Sequence, residues 1–458
     1  MSIVCGSLAL TACNSTDIAL MNKSSSFSTL DKKTPIVISH RGYSGVYPEQ
    51  TLIAYAAAAD VGSSYLETDM HMTKDCQIAL RHNAWLSDNT NIAEVAKTNS
   101  EVAARQRTVP GMLVNVPNWR SDADGPAQYL TDLTDPNDPK SVLKSLVVDG
   151  EEHVNDWSIS DFTMDELRQW VRGTTYDNKA DRPTNENGRW PVMSLQELIN
   201  VAKSKGRQYN RTIYIYPEVK NPYWNNAQAV ANGCAGTRPF EDALLKVLKD
   251  NNLNNTDSPV IVQSFDPENL KYLRAQGLKT KAVQLIDGVD IDYKTGKMSY
   301  NDGGIYTIVD GRPYSWTVKG DLRYFDSMLT PAGLAEIKKY ADGIGPWKPQ
   351  IAYHVVSPWK ASNPDGTPYT GKLADVTRVT PTSLIEDAHK AGLFVHGYTF
   401  RNENSRLAGL YKGDPVAEYL VYYRAGIDGV FTDFTPTALK ALKQYKASKE
   451  EAMQIYDR

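Results

Sequence analysis

Short apolar runs alternate with helix-patterned segments along most of this 458-residue chain, and that alternation restricts the fold more than any other feature. The runs are Pro35–Ser39, Ser64–Asp69, Thr212–Glu218, Val260–Ser264, Lys281–Leu285, Ala341–Gly345, Leu393–Tyr398 and Asp428–Thr432. Pro35–Ser39 is an apolar run suited to a parallel strand buried on both faces. Helical patterns follow at Pro48–Asp60, Pro239–Asp250, Pro267–Gln276, Pro381–Ala391, Pro415–Ala425 and Pro436–Tyr445, each opened by a proline, which suits a first helical turn. A repeat of about eight βα units predicts a (β/α)8 TIM barrel, with a doubly wound sheet as the alternative.

Residues with chemistry cluster at the ends of these runs. His40, Glu67, Asp69, Glu218 and Ser264 each sit at or just past the carboxyl end of a predicted strand, the active face of such barrels. Side chains repeat with period two along a strand, so Glu67 and Asp69 point the same way and can share one cation. His71 continues the alternation but is expected to project beyond the barrel rim in a structural or surface role. His40, Arg41, the Glu67/Asp69 pair and His82 make up the set that displacement at an anionic phosphodiester requires: a cation over the oxygens, a base and an acid.

The order of these residues narrows the reading. IVISHRGYSGVYPEQT (36–51) and YLETDMHMTKDCQIALRHNAWLSDNT (65–90) resemble the glycerophosphodiester phosphodiesterase family, whose pattern is HRG, PE, ExD, TKD and HD. The resemblance continues in YPEVK (216–220), VQSFD (262–266), YADGIGP (340–346), HGYTFR (396–401) and GVFTDF (429–434). It implies His40 and His82 as the acid–base pair, and Glu67, Asp69 and Glu218 as ligands of a divalent cation. The all-oxygen donor set points to Ca²⁺ or Mg²⁺ rather than zinc, and of the two Ca²⁺ is the expected cation. Arg41 and Lys220 are the implied phosphate contacts, with neutralisation of the acidic cluster as the alternative role of either, and Gln263 and Phe265 are implied near the glycerol moiety. Trp347, Tyr398 and Arg401 are further candidates for the pocket wall. Asn83 stands where the family usually has Asp; as a neighbour of His82 on a strand it should face away from the site, leaving an active enzyme.

The implied activity is hydrolysis of glycerophosphodiesters to sn-glycerol 3-phosphate and an alcohol. Its rivals are a lysophospholipase D-like or phospholipase C-like barrel, which needs an apolar lip, and a non-catalytic surface lipoprotein. Two long insertions interrupt the βα rhythm near 87–190 and 287–330, the first with a predicted helix at Met164–Arg172 and the position of an insertion domain after the second strand. The barrel is expected to occupy residues 34–450.

Composition excludes some classes. The balance of 50 basic against 54 acidic residues, net charge −4, provides no positive field for nucleic acid. No apolar run reaches the length of a spanning helix. The N-terminal stretch ends in Leu10-Thr11-Ala12-Cys13, which resembles a lipobox, so residues 1–33 are expected to be a lipoprotein signal and a flexible tether. A lipid on Cys13 would be the one membrane attachment, and the location periplasmic or at the cell envelope. Of the four cysteines, Cys76 and Cys234 then remain; they could pair in an oxidising compartment, and zinc ligation by them alone is disfavoured. The sequence carries no signal for oligomeric state.

Overall fold

The computed structural model of the chain describes residues 27–108, 113–114, 128–129, 146–175 and 181–456. Cys5 and Cys13, with most of the expected signal and tether, lie outside the described residues. No helix among the described residues is long and apolar enough to cross a membrane.

Parallel strands β1 (Ile36–Ser39), β2 (Tyr65–Met72), β3 (Tyr214–Val219), β4 (Ile261–Ser264), β5 (Lys281–Ile286), β6 (Gly343–Pro346), β7 (Phe394–Phe400) and β8 (Gly429–Thr432) pair in that order. β8 pairs in turn with β1, closing the sheet into a barrel. Each strand leads to one helix on the outside: α1 (Leu52–Asp60), α2 (Leu195–Tyr209), α3 (Pro239–Asp250), α4 (Pro267–Ala275), α5 (Pro331–Ile337), α6 (Leu384–Lys390), α7 (Pro415–Ala425) and α8 (Thr435–Tyr456). This is the (β/α)8 barrel predicted from the alternation. Prolines at the first turn of α3, α4, α5 and α7 cost no backbone hydrogen bond there. Asp266 and Asp414 cap α4 and α7 with side-chain acceptors.

The first helix differs from its predicted bounds. α1 begins at Leu52 behind the cap Thr51, and residues 48–51 form a loop, because Gln50 adopts φ 56° and cannot enter a helix. Glu49 is thereby released from a helix turn and, as described below, is buried beside Arg41. Gly42 is required in the same bend: at φ 84° a Cβ would meet the backbone of Ala54 at 2.7 Å.

The barrel interior below the site is filled by Ile38, Tyr216, Ile261, Val283, Leu285 and Phe431. Each of these large side chains, removed from water, contributes about 1.5–3 kcal/mol. A larger apolar layer lies between strands and helices, running from Tyr55 and Leu66 through Phe240 and Leu270 to Tyr422 and Tyr445.

The barrel loops carry long excursions. Between β2 and α2 the chain first folds back as the short strand Ile78–Leu80 on β2, then builds a small core of its own from Leu86, Ile92, Val102, Trp157, Phe162, Leu167 and Val171. The helix predicted in this excursion spans Met164–Trp170, with Thr163 and Glu166 forming a capping box. Residues 287–330 connect β5 to α5. A further excursion absent from the sequence reading lies between β6 and α6, where Ala352–Val355 and Arg378–Pro381 pair antiparallel. Cys76, in the turn after β2, is disulfide-bonded to Cys234, beyond the loop helix Pro222–Ala231.

Candidate active site

Strand register brings the acidic residues together. Asp69 on β2 lies opposite Glu218 on β3, and Glu218 lies opposite Gln263 on β4. Glu67 is one pleat below on the same face as Asp69. The ligand atoms of Glu67, Asp69 and Glu218 all lie within 4.8 Å of one another, and all three residues are buried.

These carboxylates repel one another in a medium that solvates them poorly. Burial, then the charge of Asp69, pushes Glu67 well above the usual carboxylate range. Burial, opposed by Arg41 and reinforced by Glu218, raises Asp69 to about 7. The electrostatic problem is only partly answered by protein groups. The backbone N–H of Arg41 donates to Glu67 Oε2 at 2.7 Å, and Gln263 donates to Glu67 Oε1 at 3.2 Å. Gln50 donates to Asp69 Oδ2 at 2.7 Å. Lys220 Nζ lies 3.3 Å from Glu218 Oε1 as a charge contact, yet that oxygen receives no hydrogen bond among the described residues, and neither does Gln263 Oε1. Three converging carboxylates with an unsatisfied buried oxygen fit a hard divalent cation, which would neutralise them and offer charge to a phosphate oxygen.

Arg41 is drawn into this cluster. It sits at φ 58°, buried, with Nη1 2.9 Å from Glu49 Oε2 and Nε 3.1 Å from Asp69 Oδ2. A non-glycine residue held in the left-handed region at a strand end is a common mark of a functional bend. Glu49 also accepts from Asn89 at 2.5 Å, linking the start of the excursion after β2 to the site.

The two histidines flank the carboxylates. Barrel closure sets Ser39 beside Thr432, so the next residues, His40 and Asp433, meet: His40 Nδ1 lies 2.6 Å from Asp433 Oδ1. Burial and the Arg41 charge lower the His40 pKa, against the pull of Asp433. His82 follows the short strand Ile78–Leu80, with Nε2 3.5 Å from Lys220 Nζ. Burial and the cations Arg41 and Lys220 hold His82 well below its ordinary value.

His40, Arg41, Glu67, His82, Glu218, Lys220, Gln263 and Phe265 all line one cavity of about 320 Å³ at the carboxyl end of the barrel. Trp347, Tyr398 and Arg401, the further wall candidates, line it too, together with Asp287 and Asp310. Burial raises Asp287 to about 6, and burial with the Asp287 charge raises Asp310 to about 8. A second chamber adjoins it past His82 and Lys220, bounded by Asn83, Trp85, Asp149 and Tyr314.

Two expectations need correction. His71 does not project beyond the rim: it is 0% exposed, because β2 runs on to Met72 and is covered by the loop helix after β3. Its Nε2 contacts the His82 carbonyl at 3.1 Å and Asn225 lies 3.0 Å from its Nδ1, so it supports the His82 backbone from within. Asn83 is not on a strand; its amide donates to Asp88 Oδ2 at 2.6 Å. It therefore shapes the turn after His82 by a hydrogen bond rather than by strand alternation.

Sequence reasoning also missed supporting residues. Glu49 and Asp433 stand inside quoted motifs, PE and GVFTDF, yet their roles depend on a loop conformation and on barrel closure. Gln50 lies within the quoted segment 36–51, yet its bond to Asp69 depends on the same loop conformation.

Residues 40–437 match the Glycerophosphoryl diester phosphodiesterase family. The glycerophosphodiester phosphodiesterase GDPD6 of Arabidopsis thaliana is 27% identical over 414 residues, covering 89% of this chain and 85% of that protein. The glycerophosphodiester phosphodiesterase of Haemophilus influenzae is 25% identical over 420 residues, covering 91% of this chain and 92% of its own. Among solved structures, an Oleispira antarctica phosphodiesterase in complex with sn-glycerol-3-phosphate aligns with TM-score 0.48 at 15% identity, covering 90% of this chain and 99% of that one. The chain belongs to the glycerophosphoryl diester phosphodiesterase family and is a phosphoric diester hydrolase of that class.

Proposed function

We propose that this enzyme hydrolyses glycerophosphodiesters, the deacylated forms of phospholipids, to sn-glycerol 3-phosphate and a free alcohol by acid–base catalysis between His40 and His82. The observation that carries the reading is one cavity lined by both histidines, Glu67, Glu218 and Lys220. A divalent cation, Ca²⁺ before Mg²⁺, is held by Glu67, Asp69 and Glu218, and supplies positive charge to the phosphate when bound.

In this reading Lys220 adds a point charge to the phosphate, while Arg41 keeps the carboxylates in position through Asp69 and the Glu67 backbone bond. One histidine takes the proton of the glycerol 2-hydroxyl, whose oxygen bonds to phosphorus as the bond to the alcohol oxygen breaks. The other gives that leaving oxygen its proton. Water then opens the cyclic glycerol phosphate with the two roles exchanged. An intramolecular nucleophile has an effective concentration that free water lacks, which favours this route.

The envelope location rests on two features, the Leu10–Cys13 motif and the Cys76–Cys234 disulfide, a bond that persists in oxidising compartments. In this reading the chain is tethered by lipid at Cys13. A Cys13→Ser protein that still partitions with membranes in detergent extraction would remove the anchor.

The decisive experiment is a panel of glycerophosphodiesters assayed for sn-glycerol 3-phosphate, with EDTA and with added Ca²⁺ or Mg²⁺. Activity should vanish with EDTA, return best with Ca²⁺, and be lost in His40→Ala. Calorimetric titration should show weakened cation binding in Glu67→Gln, Asp69→Asn and Glu218→Gln. Unchanged affinity in all three would overturn the cation site.

A further inference from the structure

Arg182 lies in the excursion between β2 and α2, far in sequence from every catalytic motif, and it does not line the cavity. Its side chain is nevertheless buried, 7% exposed, and each of its nitrogens is placed. Nη2 donates to Asp433 Oδ2 at 2.7 Å, Nη1 to the Ser44 carbonyl at 3.2 Å, and Nε to Glu403 Oε1 at 2.6 Å. The guanidinium lies over the Phe434 ring at 5.6 Å. Two of these contacts lead to the same residue. Asp433 Oδ1 meets His40 Nδ1, and Ser44 Oγ donates to the His40 carbonyl at 2.7 Å.

From this geometry we infer that Arg182 is a positioning residue for His40, acting through Asp433 and Ser44. A planar guanidinium with its three nitrogens engaged has little freedom to rotate, so it fixes the plane of the Asp433 carboxylate. Arg401 adds a second contact to the same Oδ2 at 2.8 Å, leaving Oδ1 for His40. A carboxylate carrying two guanidinium partners is ionised and only accepts, so the proton of a neutral His40 resides on Nδ1. Its Nε2 is then the nitrogen that exchanges protons with the substrate. Arg182 thus couples the excursion to the catalytic barrel: this added segment closes the support of the first histidine from outside the pocket. The inference rests on the proposed acid–base role of His40, but the tautomer can be read without turnover.

The test compares the full-length wild type with Arg182→Met, Arg182→Lys, Asp433→Asn and the Arg182→Met/Asp433→Asn double variant. Turnover of sn-glycero-3-phosphocholine is measured together with ¹⁵N–¹H spectra of histidine-labelled protein. Arg182→Met should lower kcat roughly 10- to 100-fold with KM nearly unchanged, since a misplaced catalytic group costs rate rather than binding. Arg182→Lys should recover part of the loss, and free guanidinium should partly rescue Arg182→Met. The double variant should be no slower than Asp433→Asn, because both act on one unit. The far-downfield His40 Nδ1 proton of the wild type should broaden or vanish in Arg182→Met. An unchanged Nδ1 resonance, an unchanged kcat, or losses that multiply in the double variant would each overturn the positioning role. If Arg182→Met does not fold, Arg182→Lys with its Nδ1 spectrum decides. A wild type inactive on every glycerophosphodiester would refute the proposed function instead, with the Nδ1 spectra still deciding the tautomer.

Discussion

Arg41 Nε lies 3.1 Å from Asp69 Oδ2, so an arginine on the first barrel strand's exit is ion-paired with a cation-ligand candidate on the second. The same side chain reaches Glu49, which is 1% exposed, and the group therefore balances charge in the cluster as well as facing the cavity. Removing one partner of a buried pair leaves the other charge uncompensated, a cost of about 3 kcal/mol. Arg41→Met should lose stability of that order in urea titration, and added Ca²⁺ should stabilise the variant more than the wild type, because the cluster becomes more negative. A variant as stable as the wild type, with no larger Ca²⁺ effect, would contradict this assignment.

Asn83 is tested by the substitution its sequence position invites. Its amide donates to Asp88 Oδ2, which also accepts from Trp85 Nε1 at 2.6 Å. Asn83→Asp replaces a donor with a like charge, costing the turn about 1–2 kcal/mol. Turnover should still change by less than about tenfold, roughly 1.4 kcal/mol in barrier, because the side chain engages the loop rather than the carboxylate cluster. A rise of several orders of magnitude would show instead that the aspartate has a catalytic role that the wild type lacks.

His396 makes stability depend on pH. It is buried in the barrel beside Tyr216, whose hydroxyl lies 3.0 Å from Nδ1, and burial lowers its pKa to about 3. The unfolded chain binds a proton on this residue below about 6.5 while the folded chain does not, so its contribution is full above 6.5 and is lost as pH falls toward 3. Between those values it adds a slope of about 1.4 kcal/mol per pH unit to unfolding free energy. His396→Gln should flatten the measured curve by that amount between pH 4 and 6. An identical slope in the variant would place His396 among groups that titrate equally in both states.

The disulfide joins residues 158 positions apart, and in the chain-entropy account closing a loop of that size stabilises the fold by up to about 5 kcal/mol. It also holds the turn after β2 near the loop helix that supplies Asn225 to His71. Cys76→Ser/Cys234→Ser, and the wild type in dithiothreitol, should both melt earlier. Equal melting with and without reductant would show that the bond contributes nothing to stability.

The barrel and the strand-end residues His40, Glu67 and Glu218 were legible in the chain because they depend on local chemistry, whereas His82, Lys220, Gln263 and Phe265 were implied by the family resemblance. Buried parallel strands need continuous apolar runs, crossover helices leave their own periodicity, and strand-end residues reach the active face of a barrel by geometry alone. Glu67 and Asp69 share a face because a strand alternates, a rule that needs no tertiary knowledge. Tertiary structure alone decided which distant residues meet. Asp433 reaches His40 only because β8 closes onto β1, and Arg182 reaches Asp433 only through an excursion that breaks the βα rhythm. Glu49 leaves its expected helix because Gln50 turns into the left-handed region to hydrogen-bond Asp69, and His71 is buried by a helix from the next βα unit. Local pattern sets what each segment becomes; closure and loop packing, with contacts hundreds of residues apart, set the partners that hold a catalytic group in place.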